Sequence, residues 1–297
     1  MKHSISIAMA TYNGGHYLRD QFDSILGQTV SFTELIVCDD ASTDDSWSIL
    51  QEYAAKDSRV RIFRNEQKLG FLRNFEKALG LSTCDYIALS DQDDIWTQDH
   101  LEKLLNGLED KLVVVGDAEI MTADSHRTGI KLSYCTNLEY VPRSDLQKAY
   151  FMFYRNPYHG MAMMLRRDFL KMAIPIPNEI RIHDIWFSSL ACFYGGLSVI
   201  DETVTLYRRH QNNVTGGKIK KTRFRSFLGH IIFNHSLFDF VVLPDLIRER
   251  LGNKLTDIQL NFLKEADNYY YRRKSIWGRF YNIIFEIKHF KSIYGYK

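Results

Sequence analysis

The chain has 297 residues, 45% hydrophobic and 25% charged, a composition that excludes a disordered or fibrous protein and allows one large domain or one domain with an appendage. Its four cysteines, Cys38, Cys84, Cys135 and Cys192, form no CxxC pair, which argues against a zinc site and for buried free thiols in a reducing compartment. The net charge of +2 hides an asymmetry: residues 1–213 carry a net of −7 and residues 214–297 a net of +9, so two parts with different partners are expected.

The N-terminal "MKHSISIAMATYNGG" has one lysine and a short apolar run, and does not read as a signal peptide. "SISIAMA" (4–10) reads as a buried strand and "TYNGG" as a loop. Leu18, Phe22, Ile25 and Leu26 then recur at helical spacing across 16–28. "ELIVCDD" (34–40) is a second strand, and Ser42 or Thr43 is expected to cap a helix through Tyr53. "VRIFRN" (60–65) is a third strand, "GFLRNFEKAL" (70–79) a helix, and "DYIALS" (85–90) a fourth strand. Thr97 is expected to cap the helix "QDHLEKLLNGL".

Alternation of strand and helix with short loops predicts right-handed crossovers and an α/β fold, a mostly parallel sheet with helices on both faces. Ligands of such sheets bind beyond the carboxyl ends of the strands. Three polar clusters fall at those ends: Thr11–Tyr12, Asp39–Asp40 and Asp91–Asp94.

Further on, "LVVVGDAEIM" (112–121) reads as a strand, and "MAMMLRRDFL" (161–170) as a strand turning into a helix. "HDIWFSSLACFYGG" (183–196) reads as an amphipathic helix stopped by glycines, and "VTLYRRH" (204–210) as a late strand. The domain boundary is expected at "QNNVTGGKIKK" (211–221), giving a domain over 1–215 and a helical extension over 216–297. That extension interleaves Trp, Tyr and Phe with Lys and Arg. It has no uninterrupted apolar stretch of the roughly 18–20 residues that a spanning helix needs. Contact with a membrane surface is one reading, and a helical subdomain with a solvated basic face is the other. The acidic body would repel phosphates, which excludes a nucleic-acid partner.

The cluster "SDQDDIW" (90–96) concentrates Asp91, Asp93 and Asp94 at a strand end, where like charges repel and raise one another's pKa. Hard oxygen ligands spaced as Asp-x-Asp suit Mg²⁺ or Mn²⁺, and such an ion usually completes its shell with substrate phosphates. The inferred ligand is a nucleotide diphosphate. Acidic surface loops are common, and the motif alone does not decide.

Taken together, "ISIAMATYNGGHYLRDQFDSILGQT", "ELIVCDDASTDDS", "GFLRNFEKAL", "YIALSDQDDIW", "HGMAMMLRRDFL", "HDIWFSSLA" and "LYRRHQNNVTG" make the chain similar to the family 2 glycosyltransferases, inverting enzymes with a GT-A fold. Within that family it most resembles rhamnosyltransferases of bacterial cell-surface polysaccharide assembly. The resemblance implies that Thr11, Tyr12, Asp40 and Asp91 contact the nucleotide, Asp40 by accepting the N3–H of uracil or thymine, with Arg73 and Asn74 lining the pocket. It makes Asp93 the main metal ligand, with Asp91 beside it. It also offers His210, about 25 residues after Asp184, as a further ligand for Mn²⁺ or Mg²⁺. It places the general base at Asp184, at a helix start that favours an ionised carboxylate.

Trp186, His183 and Asp94 are assigned to the acceptor, against packing for the first two and hydrogen bonds to backbone amides of the Trp96–Thr97 turn for the third. His183 stands where the family commonly has an acidic residue, and His159–Gly160 borders the same expected cleft. The implied reaction moves a sugar from an NDP-sugar, dTDP-rhamnose foremost, to a saccharide or undecaprenyl-linked saccharide. The implied location is cytoplasmic or peripheral on the inner membrane face. A UDP-galactose or UDP-N-acetylhexosamine transferase of the same fold is an alternative, and a polysaccharide-binding protein on a decayed fold is another. A nucleotidyltransferase would want a cation-bearing glycine-rich loop after strand one, and "TYNGGHYL" has none before Arg19.

Overall fold

A computed structural model describes residues 3–135, 144–154, 159–211, 213, 238–272, 281–282, 284–285 and 287–289. The chain divides into two compact units. The first comprises 1–132, 158–175 and 197–216, and the second 133–157, 176–196 and 217–297. The segment 214–237, which contains most of the expected boundary and the start of the basic extension, lies outside the described residues.

The first unit is built on a nine-stranded sheet in the order β3-β2-β1-β4-β8-β6-β9-β5, with β7 on β6. The strands are β1 (Ile5–Thr11), β2 (Glu34–Asp39), β3 (Val60–Arg64), β4 (Tyr86–Ser90), β5 (Ile95–Trp96), β6 (Val113–Thr122), β7 (Arg127–Lys131), β8 (Met163–Arg166) and β9 (Leu197–Arg209). β1 to β4 pair in parallel, as the alternation predicts. Beyond them the sheet is mixed: β8 runs antiparallel to β4 and β6, and β6 is parallel to β9. Two strands escaped the sequence reading. β5 is only two residues long, and β7 is an exposed hairpin partner without apolar alternation.

Helices α1 (Gly15–Leu26), α2 (Ser46–Lys56) and α4 (His100–Leu108) share one core cluster with alternate strand residues such as Ile5, Ile7 and Met9. A strand points successive side chains to opposite faces, so these three lie on one face of β1. α3 (Phe71–Leu81) packs on β1 and β2 and contributes none of its residues to that cluster. α7 (Arg167–Ala173) follows β8. Phe22 is fully buried in the cluster, and its loss to alanine would cost about 3–5 kcal/mol.

The expected side-chain caps are not formed. α2 begins at Ser46 and α4 at His100, with no capping hydrogen bond at either start. Ser42 instead receives the Asn13 N–H at 2.9 Å, and Thr97 donates to the Val204 carbonyl at 3.0 Å. Both hydroxyls serve long-range joints, which outweigh a local cap.

Described by itself, the second unit is helical: α5 (Leu132–Cys135, from its second residue), α6 (Asp145–Tyr154), α8 (His183–Phe193), α9 (Phe238–Leu251) and α10 (Asp257–Arg272). Phe153, Phe193 and Phe262 pack edge-on or tilted with centroids 5.2–5.8 Å apart, and Tyr150 packs edge-on to Phe262. Every residue of α8 is buried, so it is apolar-packed all round rather than amphipathic. Among the described residues no helix is long and apolar enough to cross a membrane. Cys38, Cys84 and Cys192 are buried free thiols.

Candidate active site

Parallel register aligns the carboxyl ends of the central strands, with Thr11 opposite Asp39 and Met9 opposite Ser90. Just past these ends the backbone turns, and polar side chains from five strands meet.

The loop after β1 is held from two sides. Gln92, the middle residue of the Asp-x-Asp motif, accepts the Thr11 hydroxyl at 2.6 Å and the Tyr12 N–H at 2.8 Å, and donates to the Tyr12 carbonyl at 3.2 Å. Its amide acts as one more rung of the β1–β4 ladder. Gly14 makes room: a Cβ there would lie 2.3 Å from Gln92 Oε1. On the other side Ser42 and Ser46 accept the Asn13 and Gly14 N–H groups, each at 2.9 Å.

Asp40 is 2% exposed, and its carboxylate accepts three N–H groups: Asn65 Nδ2 at 2.8 Å, Leu69 at 2.7 Å and Gly70 at 2.8 Å. Gly70 has φ +86°, a conformation that glycine adopts without strain. Asn74 is buried beneath, donating to the Cys38 carbonyl at 2.7 Å and accepting Asn65 Nδ2 at 2.8 Å. Asn74 thus braces Asp40 through Asn65, which corrects its expected direct role in lining the pocket. Arg73 pairs with Glu76 at 2.5 Å. Tyr12 is exposed and carries the Lys68 ammonium over its ring at 3.5 Å. Asp39 is a turn carboxylate, receiving the Ser42 N–H at 3.2 Å.

The three aspartates of the cluster are not equivalent. Asp93 Oδ2 lies 2.8 Å from His210 Nε2, which β9 delivers from 117 residues away. Asp94 is fully buried and accepts the Arg208 N–H at 2.9 Å, whereas the Trp96 and Thr97 amides expected to hold it bond to the Ser24 hydroxyl and the Val204 carbonyl. Burial, with the charges of Asp93 and Asp91, pushes the Asp94 carboxyl well above the usual range. Asp91 follows the last residue of β4.

Asp93 and His210 supply a carboxylate and an imidazole in contact, a donor set that suits Mn²⁺ better than Mg²⁺. Among the described residues no three His, Cys, Asp or Glu side chains form a group able to hold a metal ion. Diphosphate oxygens and water would complete such a shell.

The sequence reading missed a buried cation. Arg208 is 1% exposed, and donates to the Asp93 carbonyl at 2.8 Å, to Asp20 at 2.8 Å and to the Ser125 hydroxyl at 2.6 Å. Part of the positive charge that the aspartate cluster demands is therefore built into the protein. The run "YRRH" held the signal, but two adjacent arginines at a strand end read as surface charge.

Asp184, His183 and Trp186 lie in the second unit, on α8. Asp184 is in the first turn, where the helix dipole favours its ionised form, and its carbonyl accepts the Ser188 hydroxyl at 2.6 Å. Burial pushes the His183 imidazole down to about 3, so it is neutral at physiological pH. Trp186 is fully buried with Arg250 5.2 Å from its ring, which makes it a packing residue and leaves no face for a sugar. His159 lies in the first unit, stacked on Tyr207 at 5.9 Å.

The family model described as "Glycosyl transferase family 2" matches residues 6–172. A Shigella flexneri dTDP-rhamnosyl transferase is 30% identical over 71% of this chain and 74% of its own. An uncharacterized glycosyltransferase of Haemophilus influenzae is 27% identical over 89% of this chain and 87% of its own. Among solved structures, S. aureus TarS 1–349 in complex with UDP superposes with a TM-score of 0.62 at 16% identity, over 91% of this chain and 71% of that one. A Pyrobaculum calidifontis mannosyltransferase in complex with GDP-Man and Mn²⁺ gives 0.54 at 14% identity, over 95% and 84%. These likenesses fix the fold as GT-A.

Proposed function

This chain belongs to glycosyl transferase family 2, and on that premise we propose that it is an inverting, metal-dependent transferase of bacterial cell-surface polysaccharide synthesis. Its donor is a nucleoside diphosphate sugar, dTDP-rhamnose, and its acceptor a saccharide or undecaprenyl-linked saccharide. The observation that carries the reading is the Asp93–His210 pair, 2.8 Å apart, beside a strand-end loop clamped by Gln92. The 30% identity to a dTDP-rhamnosyl transferase supports the choice of donor.

In this account Thr11, Tyr12 and Asp40 receive the nucleoside. Asp40 spends three of its roughly four acceptor positions within the protein, and the fourth is left for a base imide. Asp91 faces the ribose and Arg73 lines the pocket. A divalent ion held by Asp93 and His210 would neutralise charge on the departing diphosphate. Asp184 takes the proton of the acceptor hydroxyl as that oxygen attacks the anomeric carbon from the face opposite the diphosphate. The proposed catalytic stretch, 1–215, takes in nearly all of the first unit and the 133–157 and 176–196 segments of the second. The described basic and apolar surface of the C-terminal helices rests against the cytoplasmic face of the membrane, through Tyr281, Ile284, Ile287 and Lys288.

An Asp184→Asn variant tests the base. It is expected to bind donor with native affinity and to transfer no sugar, and full transfer would overturn the assignment. Donor arms of dTDP-rhamnose, UDP-galactose and UDP-N-acetylglucosamine test the sugar, with the first expected to turn over fastest.

A further inference from the structure

We propose that Tyr17 is a positioning residue for the metal-holding pair: its ring, packed against both the Arg208 guanidinium and the His210 imidazole, fixes the imidazole plane so that Nε2 meets Asp93 Oδ2. The inference rests on the metal reading proposed above. Tyr17 is half-buried on the first turn of α1, and it stacks on His210 with centroids 4.8 Å apart and planes 26° from parallel. The Arg208 guanidinium carbon lies 4.9 Å from the Tyr17 ring centroid. Arg208 cannot drift, because it is tied to the Asp93 carbonyl and to Asp20, which sits three residues after Tyr17 on the same helix face.

His210 needs such a brace. It is the residue that follows β9, and Asn213 Oδ1 fixes its backbone N–H at 2.6 Å. An imidazole that turns about its side-chain torsions moves Nε2 away from the carboxylate; Asn213 Nδ2, 3.3 Å from Nε2, and the stacked Tyr17 ring both act against that turn. The same Arg208 that anchors Tyr17 also holds the Asp93 backbone, so one buried cation sets both ligand-bearing residues. Groups behind a metal ligand that orient it are typically worth 10–100-fold in metal affinity. Tyr17 has no ligand atom of its own in this role, which is why motif reading passes over it.

The test is Mn²⁺ binding to the full chain, titrated by electron paramagnetic resonance with and without dTDP, in the native protein and in Tyr17→Phe, Tyr17→Leu and His210→Ala. Tyr17→Phe keeps the stack and is expected to bind Mn²⁺ within about 2-fold of native, whereas Tyr17→Leu falls about 10–100-fold. Metal-free dTDP affinity and the far-ultraviolet circular dichroism are expected to stay native in both. Native Mn²⁺ affinity in Tyr17→Leu, with a loss in His210→Ala, would overturn the positioning role and leave the metal reading standing. Absence of Mn²⁺ binding to the native protein, or native affinity in His210→Ala, would sink the metal reading and this inference with it.

Discussion

The Gln92 side-chain amide pairs with the Tyr12 peptide as a neighbouring strand would, accepting its N–H at 2.8 Å and donating to its carbonyl at 3.2 Å. The residue between two acidic groups thereby ties the Thr11–Tyr12 loop to the Asp91–Asp94 loop. A Gly14→Ala change places a methyl 2.3 Å from Gln92 Oε1, the far end of a flexible side chain. The amide must swing away and give up its three bonds to Thr11 and Tyr12, so the expected stability loss is about 1–3 kcal/mol, with a rise in the donor KM. Gln92→Ala should match it, and the double variant should be no worse than either single one. Additive losses would show that the two residues act separately.

Asp40 accepts three N–H groups while almost wholly buried. An Asp40→Asn change sets an NH₂ against at least one of those donors. Leaving a buried donor unsatisfied costs about 1–3 kcal/mol, to be read from urea unfolding. The native protein should prefer UDP and dTDP over CDP, whose ring N3 carries no hydrogen, and the variant should lose that preference. Equal affinity of the native protein for all three nucleotides would contradict the base-reading role.

Acid should destabilise the protein before its carboxylates titrate. Burial holds both His100 and His183 at about 3, against about 6.5 in the unfolded chain. Their stabilising contribution is whole above pH 6.5 and is lost as the pH falls toward 3. Each group contributes a slope of up to about 1.4 kcal/mol per pH unit, because the unfolded state binds the proton that the native state refuses. Thermal midpoints should therefore fall between pH 7.5 and pH 5, against the opposing gain as the buried Asp94, held high, takes up its proton. A midpoint that rises over that range would contradict the dominance of these buried neutral histidines.

Ile284 and Ile287 are exposed beside Lys288, and Tyr281 shares that exposure. Such a mix suits a headgroup boundary carrying anionic lipid. The full chain should co-sediment with phosphatidylglycerol-containing vesicles, less so in high salt. Ile284→Asp with Ile287→Asp should release it without changing sugar transfer. Sedimentation of that variant at the native level would remove this surface from the membrane account.

The alternation of strand and helix was legible over residues 4–105 because each central strand is an unbroken apolar run and each helix repeats its apolar face. The clusters at Thr11, Asp40 and Asp93 were legible because strand ends in a parallel sheet fall on one edge. What stayed hidden was long-range. β5 is too short to carry a pattern, and its partner β9 arrives about 110 residues later. Ser42 and Thr97 look like caps in sequence, yet bond to Asn13 and Val204 across the fold. Gln92, Tyr17 and Arg208 have no motif chemistry; only their neighbours reveal what they hold.

The central claim is a metal-assisted transfer from a nucleoside diphosphate sugar, and nucleoside diphosphate release tests it most directly. The full chain is incubated with the donor panel in Mn²⁺, Mg²⁺ or chelator. The account predicts release from one preferred donor, dTDP-rhamnose, with Mn²⁺ or Mg²⁺, lost on chelation and lost again in Asp93→Asn. Equal, metal-independent release from every donor, or none from any, would contradict it.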